Sequence, residues 1–310
     1  MDPIPLFFVL GVIARLMRSD LRLPPPVYDA LSIYLLLAIG LKGGVEMARS
    51  FTPAMVIDIL VVMVLGAAIV FVAYPIFRRR LGVPDAASLA AHYGSISIVT
   101  FAAASQILTN RGISYEPHLS LLAAVMEAPA LLVGAWLGRR NEKNAEVGSM
   151  ATLLHEIAAN RSVLLLIGGI AIGVIAGPEG KAPLQPLFVD LFKGALCLFL
   201  LEMGLVAAGR FSELRRSGLF LILAGIGVPL LSAVLGAAAA RLLGFSQGGC
   251  ALLMTLAASA SYIAAPTAMR LALPKADPAI GITAALAITF PFNLLLGIPL
   301  YIQVAGSLTR

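Results

Sequence analysis

Charge is scarce in this chain. Asp, Glu, Lys and Arg make up 12% of its 310 residues, where a soluble domain carries about a quarter. So few charges cannot cover a large water-facing surface, which excludes a soluble protein with a large core. Histidine numbers three and cysteine two. Cys197 and Cys250 lie in separate apolar runs and read as small packing residues, not as a disulfide or metal site. No His, Cys and carboxylate set has metal-site spacing, so no resident cofactor is expected. The net charge of +6 does not point to nucleic acid, because the Lys and Arg are scattered in short loops. The opening MDPIPLFFVLGVIARLMRSD has an acidic first region and no small-residue cleavage site, so it reads as a first span and not a removed leader.

Apolar sequence is what the chain has in abundance: 60% hydrophobic residues and a mean hydropathy of +0.96. Only helices and closed barrels satisfy their backbone in hydrocarbon, and these runs are too long and continuous for barrel strands. An all-α polytopic membrane protein is expected. Ten spans are read at about 4–20, 27–47, 54–77, 86–108, 118–138, 162–177, 186–206, 217–240, 248–271 and 279–304. They fall into two halves, 1–138 and 162–310, around a polar linker at 139–161 with a short amphipathic helix expected near Met150–Ala159. With the N-terminus outside, 15 Lys and Arg fall in inside loops and six outside, so both termini are expected outside the cytoplasm and the linker within.

The halves echo each other. LLAIGL (Leu36–Leu41) returns as LLEMGL (Leu200–Leu205), and GSIS (Gly94–Ser97) as ASAS (Ala258–Ser261), both 164 positions on. EAP (Glu127–Pro129) meets TFP (Thr289–Pro291), and Leu81–Gly82 meets Leu243–Gly244, both at 162. Five spans per half is an odd number, so the second half enters the membrane upside down. That is a five-plus-five inverted repeat, an architecture of secondary transporters.

Spans four and nine are mates, and each carries Ser-x-Ser near its centre: AHYGSISIVTFAAAS and LAASASYIAAPTAMR. Gly94 weakens a helix, and Pro266 lacks a donor and clashes with the turn before it, so both spans are expected to break. Broken helices offer amides to an anion, and carbonyls and hydroxyls to a hard cation such as sodium. Ser and Thr in membrane helices also bond back to their own helix, which is the plainer role for any one of these hydroxyls. Glu127 lies mid-span, where a carboxyl is costly unless it faces the interior; its mate is Thr289, with Asn293 one turn on. It reads equally as an ion or gating contact and as a carboxyl bonded to a neighbouring helix. Glu202 is placed at an interface between moving parts, and Asp29, Asp58 and Asp190 at helix caps. His92 flanks the first break as a structural or substrate contact, and His118 and His155 read as surface residues.

LLLAIGLKGG, HYGSISIVTF, MEAPALLVG, LLEMGLVAAGR and SASYIAAPTAMRLALPKADP together resemble the cyanobacterial-type sodium-dependent bicarbonate transporter family, from about Pro24 to Pro299. The resemblance implies an inverted repeat with a core domain sliding, elevator-like, against a scaffold, and a homotrimer in the bacterial inner membrane. It implies bicarbonate uptake with sodium as co-substrate, and a PII-like cytoplasmic regulator. It places Ser95, Ser97, Thr100, Ser259, Ser261 and Thr267 at the site, with Gly94, Glu127, Pro266, Thr289 and Asn293 as further ion or gating positions.

Three other functions stay open on the residues alone. One is sodium-coupled transport of another small anion or organic acid. Another is a serine hydrolase with His92 as base to Ser95, which lacks an oxyanion motif. The third is a membrane receptor or scaffold, which would not use two breaks. The orientation is testable by itself. A cysteine at position 146 (Glu146→Cys) should react with an impermeant thiol reagent only from the cytoplasmic side; labelling only from outside would overturn the inverted topology.

Overall fold

The computed structural model describes residues 2–50, 52–140, 155 and 159–309. The expected helix at Met150–Ala159 lies largely outside them. Regular structure among the described residues is helical throughout. The helices are α1 (Ile4–Leu16), α2 (Pro25–Ser50), α3 (Met55–Arg78), α4 (Val83–Gly94), α5 (Ile98–Asn110) and α6 (Leu119–Arg139). After the linker come α7 (Arg161–Lys181), α8 (Phe192–Gly209), α9 (Phe211–Leu242), α10 (Gln247–Ala257), α11 (Ala264–Ala272) and α12 (Pro278–Leu308). Eight helical stretches among the described residues are long and apolar enough to cross a membrane, counting α4 and α5 as one. Ile4–Leu16 and Gln247–Ala257 are apolar but shorter. The chain is a multi-pass membrane protein.

Two of these helices are interrupted at glycines near the expected span ends. The sixth span is expected to end at Gly177, and there the backbone leaves the helix (φ 59°, ψ −166°), with a short helical stretch following to Lys181. Likewise α9 is interrupted at Gly218 (φ 77°, ψ 168°), about two turns from its start, and the long apolar span begins there, close to the expected 217. A positive φ is open to glycine without steric cost, so each interruption falls on a glycine.

The helices pack in two groups. In the first, α1 lies on α8 and α2 on α7, with backbones nearly touching. A Cβ built on Gly11 would stand 2.0 Å from the Leu201 carbonyl oxygen, and one on Gly204 2.1 Å from that of Phe8. On the other pair, Gly173 would meet the Leu41 oxygen at 2.4 Å and Gly44 the Ile170 oxygen at 2.1 Å. Small residues permit this approach where no hydrophobic effect drives helices together. The second group joins α3–α6 to α9–α12. There α3 and α9 turn Val64, Phe71, Leu219, Leu223 and Val234 outward, while the central part of the span formed by α4 and α5 is buried throughout. Non-helical backbone at membrane depth survives only where protein covers it.

Several charged residues sit otherwise than expected. His118 is buried, not at the surface; its Nε2 lies 2.8 Å from Asp58 Oδ2, joining the starts of α6 and α3. Asp29 pairs with Arg161 at 2.9 Å instead of capping α2. Glu202 accepts from the Leu23 backbone at 3.3 Å, a contact inside the first group and not between the two.

The glycine seam carries a stability prediction. Gly44→Ala drives a methyl into the Ile170 carbonyl and should cost about 1–3 kcal/mol, the usual range for overpacking. Gly168→Ala, with open space around it, should leave the melting temperature of the detergent-purified protein unchanged. Equal melting temperatures for the two variants would refute this account of the seam.

Candidate functional site: two interrupted helices and a polar chamber

The first break begins after Gly94, and glycine's flexibility is not its cause. Gly94 is the last residue of α4, where a Cβ would lie 2.3 Å from Val70 Cγ2 and 2.7 Å from the Gly66 oxygen. It is small so that α4 can approach α3. Ser95 (φ −84°, ψ 157°) and Ser97 (φ −105°, ψ 107°) are extended, and Ser97 caps α5. Its Oγ accepts from the Thr100 amide at 3.3 Å and the Thr100 hydroxyl at 2.9 Å. Such a cap satisfies one of the amides a helix start leaves free.

The second break runs from the end of α10 at Ala257 to Ala264. Pro266 sits in the first turn of α11, where a missing amide hydrogen is tolerated, while its ring bars a helical turn through Tyr262. Ser259 Oγ donates to the Leu256 oxygen at 2.8 Å. Ser261 Oγ accepts from the Ala265 amide at 3.2 Å.

The breaks are tied to each other. The Ser97 amide donates to Ser259 Oγ at 2.9 Å. The Ser261 amide donates to the His92 oxygen at 2.8 Å, and His92 Nδ1 lies 2.6 Å from the Ser261 oxygen. A carbonyl only accepts, so that imidazole nitrogen carries the proton. His92 therefore clamps one break to the other, and its role is structural. The far side of its ring packs on Gly281, where a Cβ would stand 2.4 Å from Nε2.

Spans five and ten each send a side chain to a break. Glu127 Oε1 accepts from Ser95 Oγ at 3.3 Å. Asn293 Nδ2 donates to the Ala258 oxygen at 2.7 Å and its Oδ1 accepts from Tyr301 at 2.9 Å. In α12 it is Asn293, and not Thr289, whose side chain bonds to a break. Thr289 donates to the Gly225 oxygen at 2.8 Å and meets the Tyr93 hydroxyl at 2.7 Å, fastening α12 to α9 and α4.

Between the breaks and the first helix group lies a chamber of about 20 Å³, room for roughly one water-sized group. Ser97, Glu127, Ser261 and Tyr262 line it, with Ile98 and Ala264 at the starts of α5 and α11 and Ser162 at the start of α7. Of the expected residues, Ser97, Ser261 and Glu127 reach the chamber. Ser95, Thr100, Ser259 and Asn293 stand behind it: Ser95 holds Glu127 and Thr100 holds Ser97, while Ser259 and Asn293 hold backbone carbonyls. Thr267 lies on the exposed face of α11 and is not brought there. Ser162 and Tyr262 were not expected. Among the described residues Ser162 Oγ is buried without a hydrogen-bond partner, the state of a hydroxyl that faces a ligand. Its only signal in the sequence is a polar residue opening an apolar run, which any helix start shows.

A polytopic membrane protein with a buried polar chamber between two interrupted helices fits the class of solute carriers. A model of the Na+-dependent bicarbonate transporter superfamily matches residues 3–306, and the chain belongs to that superfamily. No curated protein matches it. Among the described residues no three or more His, Cys, Asp or Glu gather as a metal site. Sodium, as cargo, would find the Glu127 carboxylate and neutral oxygens instead.

Glu127 is the one carboxylate at the chamber. Glu127→Gln keeps an acceptor for Ser95 and should leave the protein folded, while changing the sodium dependence of uptake or its pH profile. Wild-type behaviour across a pH series and a sodium series would leave Glu127 only the task of joining α6 to α4.

Proposed function

We propose that the protein imports bicarbonate together with sodium by alternating access. The observation that carries this reading is the meeting of two half-helix starts, α5 and α11, with Ser97, Ser261 and Glu127 around one small chamber. Helix starts attract an anion, and a carboxylate with hydroxyls suits sodium. Moving an anion inward against an inside-negative potential costs about 2.3 kcal/mol per 100 mV, and a co-bound sodium ion cancels that charge.

Helix contacts support the five-plus-five inverted repeat. In the register that aligns LLAIGL with LLEMGL, Gly11 under Leu201 has its mate in Gly169 under Leu37, and Gly204 under Phe8 has its mate in Gly40 under Leu166. At the helix starts, Glu116 accepts from the Ser246 amide at 2.6 Å and Asp85 from the Asp277 amide at 2.8 Å. Adding 161 to the first residue and subtracting 161 from the second turns one pair into the other. The proposal takes the first helix group (α1, α2, α7, α8) as scaffold and the second as the moving core. A homotrimer, a PII-like regulator, an inner-membrane location and outward termini belong to the proposal on the family resemblance and the charge bias.

A chamber with room for about one water-sized group is far too small for an organic acid, and even a four-heavy-atom anion would require the site to widen. The hydrolase arrangement is not formed: the His92 ring is bonded to the Ser261 oxygen, and Ser95 Oγ to Glu127.

Uptake of labelled bicarbonate into proteoliposomes tests the reading. Uptake should require sodium. Ser97→Ala and Ser261→Ala should each weaken apparent affinity about tenfold, the loss of a charge-assisted hydrogen bond worth about 1.5–3 kcal/mol. The sodium dependence should shift with it, since two ligands of one site are reciprocally linked. Ser232→Ala, at a buried serine away from the breaks, should do little. Uptake indifferent to sodium, or affinity within twofold in both site variants, would sink the proposal.

A further inference from the structure

Among the described residues, the first helix group gives the chamber a wall of three: Leu36 of α2, and Ser162 and Leu166 of α7. Ser162 is the polar one. Its relative exposure is 7%, and its hydroxyl has no hydrogen-bond partner among the described residues. A serine at a helix start ordinarily caps it. Here that task belongs to Asn160, whose Oδ1 accepts from the Ser162 amide at 3.0 Å. Burying an idle hydroxyl is costly, and from a chamber wall the partner that relieves the cost is whatever fills the chamber.

The inverted repeat proposed above gives this wall a counterpart. In the register that pairs Gly11 with Gly169 and Gly204 with Gly40, Ser162 corresponds to Ile4, Leu166 to Phe8 and Leu36 to Leu200. All three counterparts are buried and apolar, and none of them lines the chamber. They reach the second helix group at another place. Phe8 meets Phe290 edge-on with ring centres 5.5 Å apart, and Phe290 meets Tyr262 of the second break at 5.8 Å. Two halves inserted in opposite senses exchange the two membrane faces. The start of α1 is therefore to one face what the start of α7 is to the other, and the Ser162 hydroxyl has no equivalent there.

We propose that Ser162 is a one-sided ligand contact. Its hydroxyl bonds the cargo while the core stands at the face of the 139–161 linker, donating to an oxyanion or offering a lone pair to sodium. Once the core has crossed, the site meets Ile4, Phe8 and Leu200 instead. The inference rests on the transport reading and adds to it a difference between the two faces. On the linker face the cargo is gripped from both helix groups, and on the other from the core alone. The contact raises affinity about tenfold on the one face, the weight of a single hydrogen bond to a charged group. The linker is expected in the cytoplasm, so the extra grip acts on release and not on capture.

Two measurements on the full-length protein test this. In the first, bicarbonate uptake is followed in membrane vesicles of both orientations, so that each face in turn receives the ligand. Ser162→Ala should raise the half-saturating concentration about tenfold when the linker face is outermost and less than about twofold when it is innermost. Ser162→Thr, which keeps the hydroxyl, should restore it. A rise of equal size on both faces overturns the one-sided contact, as does no rise on either. The second measurement needs no transport. The melting temperature of the detergent-purified protein is titrated with sodium chloride, choline bicarbonate and sodium bicarbonate, against choline chloride as reference. Sodium bicarbonate should stabilise the wild type, and Ser162→Ala should need about tenfold more of it for half the effect. A loss already present with sodium chloride assigns the hydroxyl to sodium, and a loss confined to the bicarbonate salts assigns it to the anion. Identical titrations of the two proteins overturn the proposal. Absence of sodium-dependent uptake in wild-type vesicles would count against the transport reading alone, and the titrations would still decide whether Ser162 meets a ligand.

Discussion

A peptide group without a hydrogen-bond partner is expensive in hydrocarbon, and two helices of this protein stop partway through their course. Much of the remaining structure answers that cost. Ser97 and Ser261 take up amides at the two helix starts, Asn293 covers a carbonyl at the end of α10, and Ser259 and His92 pass hydrogen bonds from one break to the other. Protein covers the whole central part of the span containing the first break.

That occupancy sorts the hydroxyls by task. Ser259, Thr100 and Thr289 each serve a backbone group or another hydroxyl, so they hold the shape of the site. Ser162 has no such duty, and Ser261 serves one amide while still bordering the chamber. Composition cannot distinguish these tasks, because the same residue types do both.

The helices and both breaks were legible in the sequence, since long apolar runs and the paired Ser-x-Ser segments are local signals. The reasons behind them were less so. Gly94 was read as a weak point in a helix, whereas the close approach of α3 requires it. Pro266 works from inside the following helix. Thr267 shares the motif of Ser261 but faces away from the chamber, because the first turn of α11 has already rotated it outward. His118 was read as a surface residue, and Lys42 was counted among the outside-loop charges. Neither reading reveals that one is sealed against Asp58 while the other opens onto a wide cavity. Ser162 reaches the site from a distant helix start, and only tertiary packing brings it there.

The two seams of α2 differ in kind. Against α7, glycines seat beneath carbonyl oxygens, so slippage has no small step and the nearest equivalent register is a full helical turn, about 5.4 Å away. Facing α5, the helix shares with it an aliphatic layer that includes Leu36, Ile39, Ile98 and Val99. Dispersion contacts of this sort are remade nearly as fast as they are broken when the partners shift. The first seam is a weld and the second a greased bearing, so in the proposed motion α2 would travel with α7 and shear between the two helix groups would concentrate at its other face.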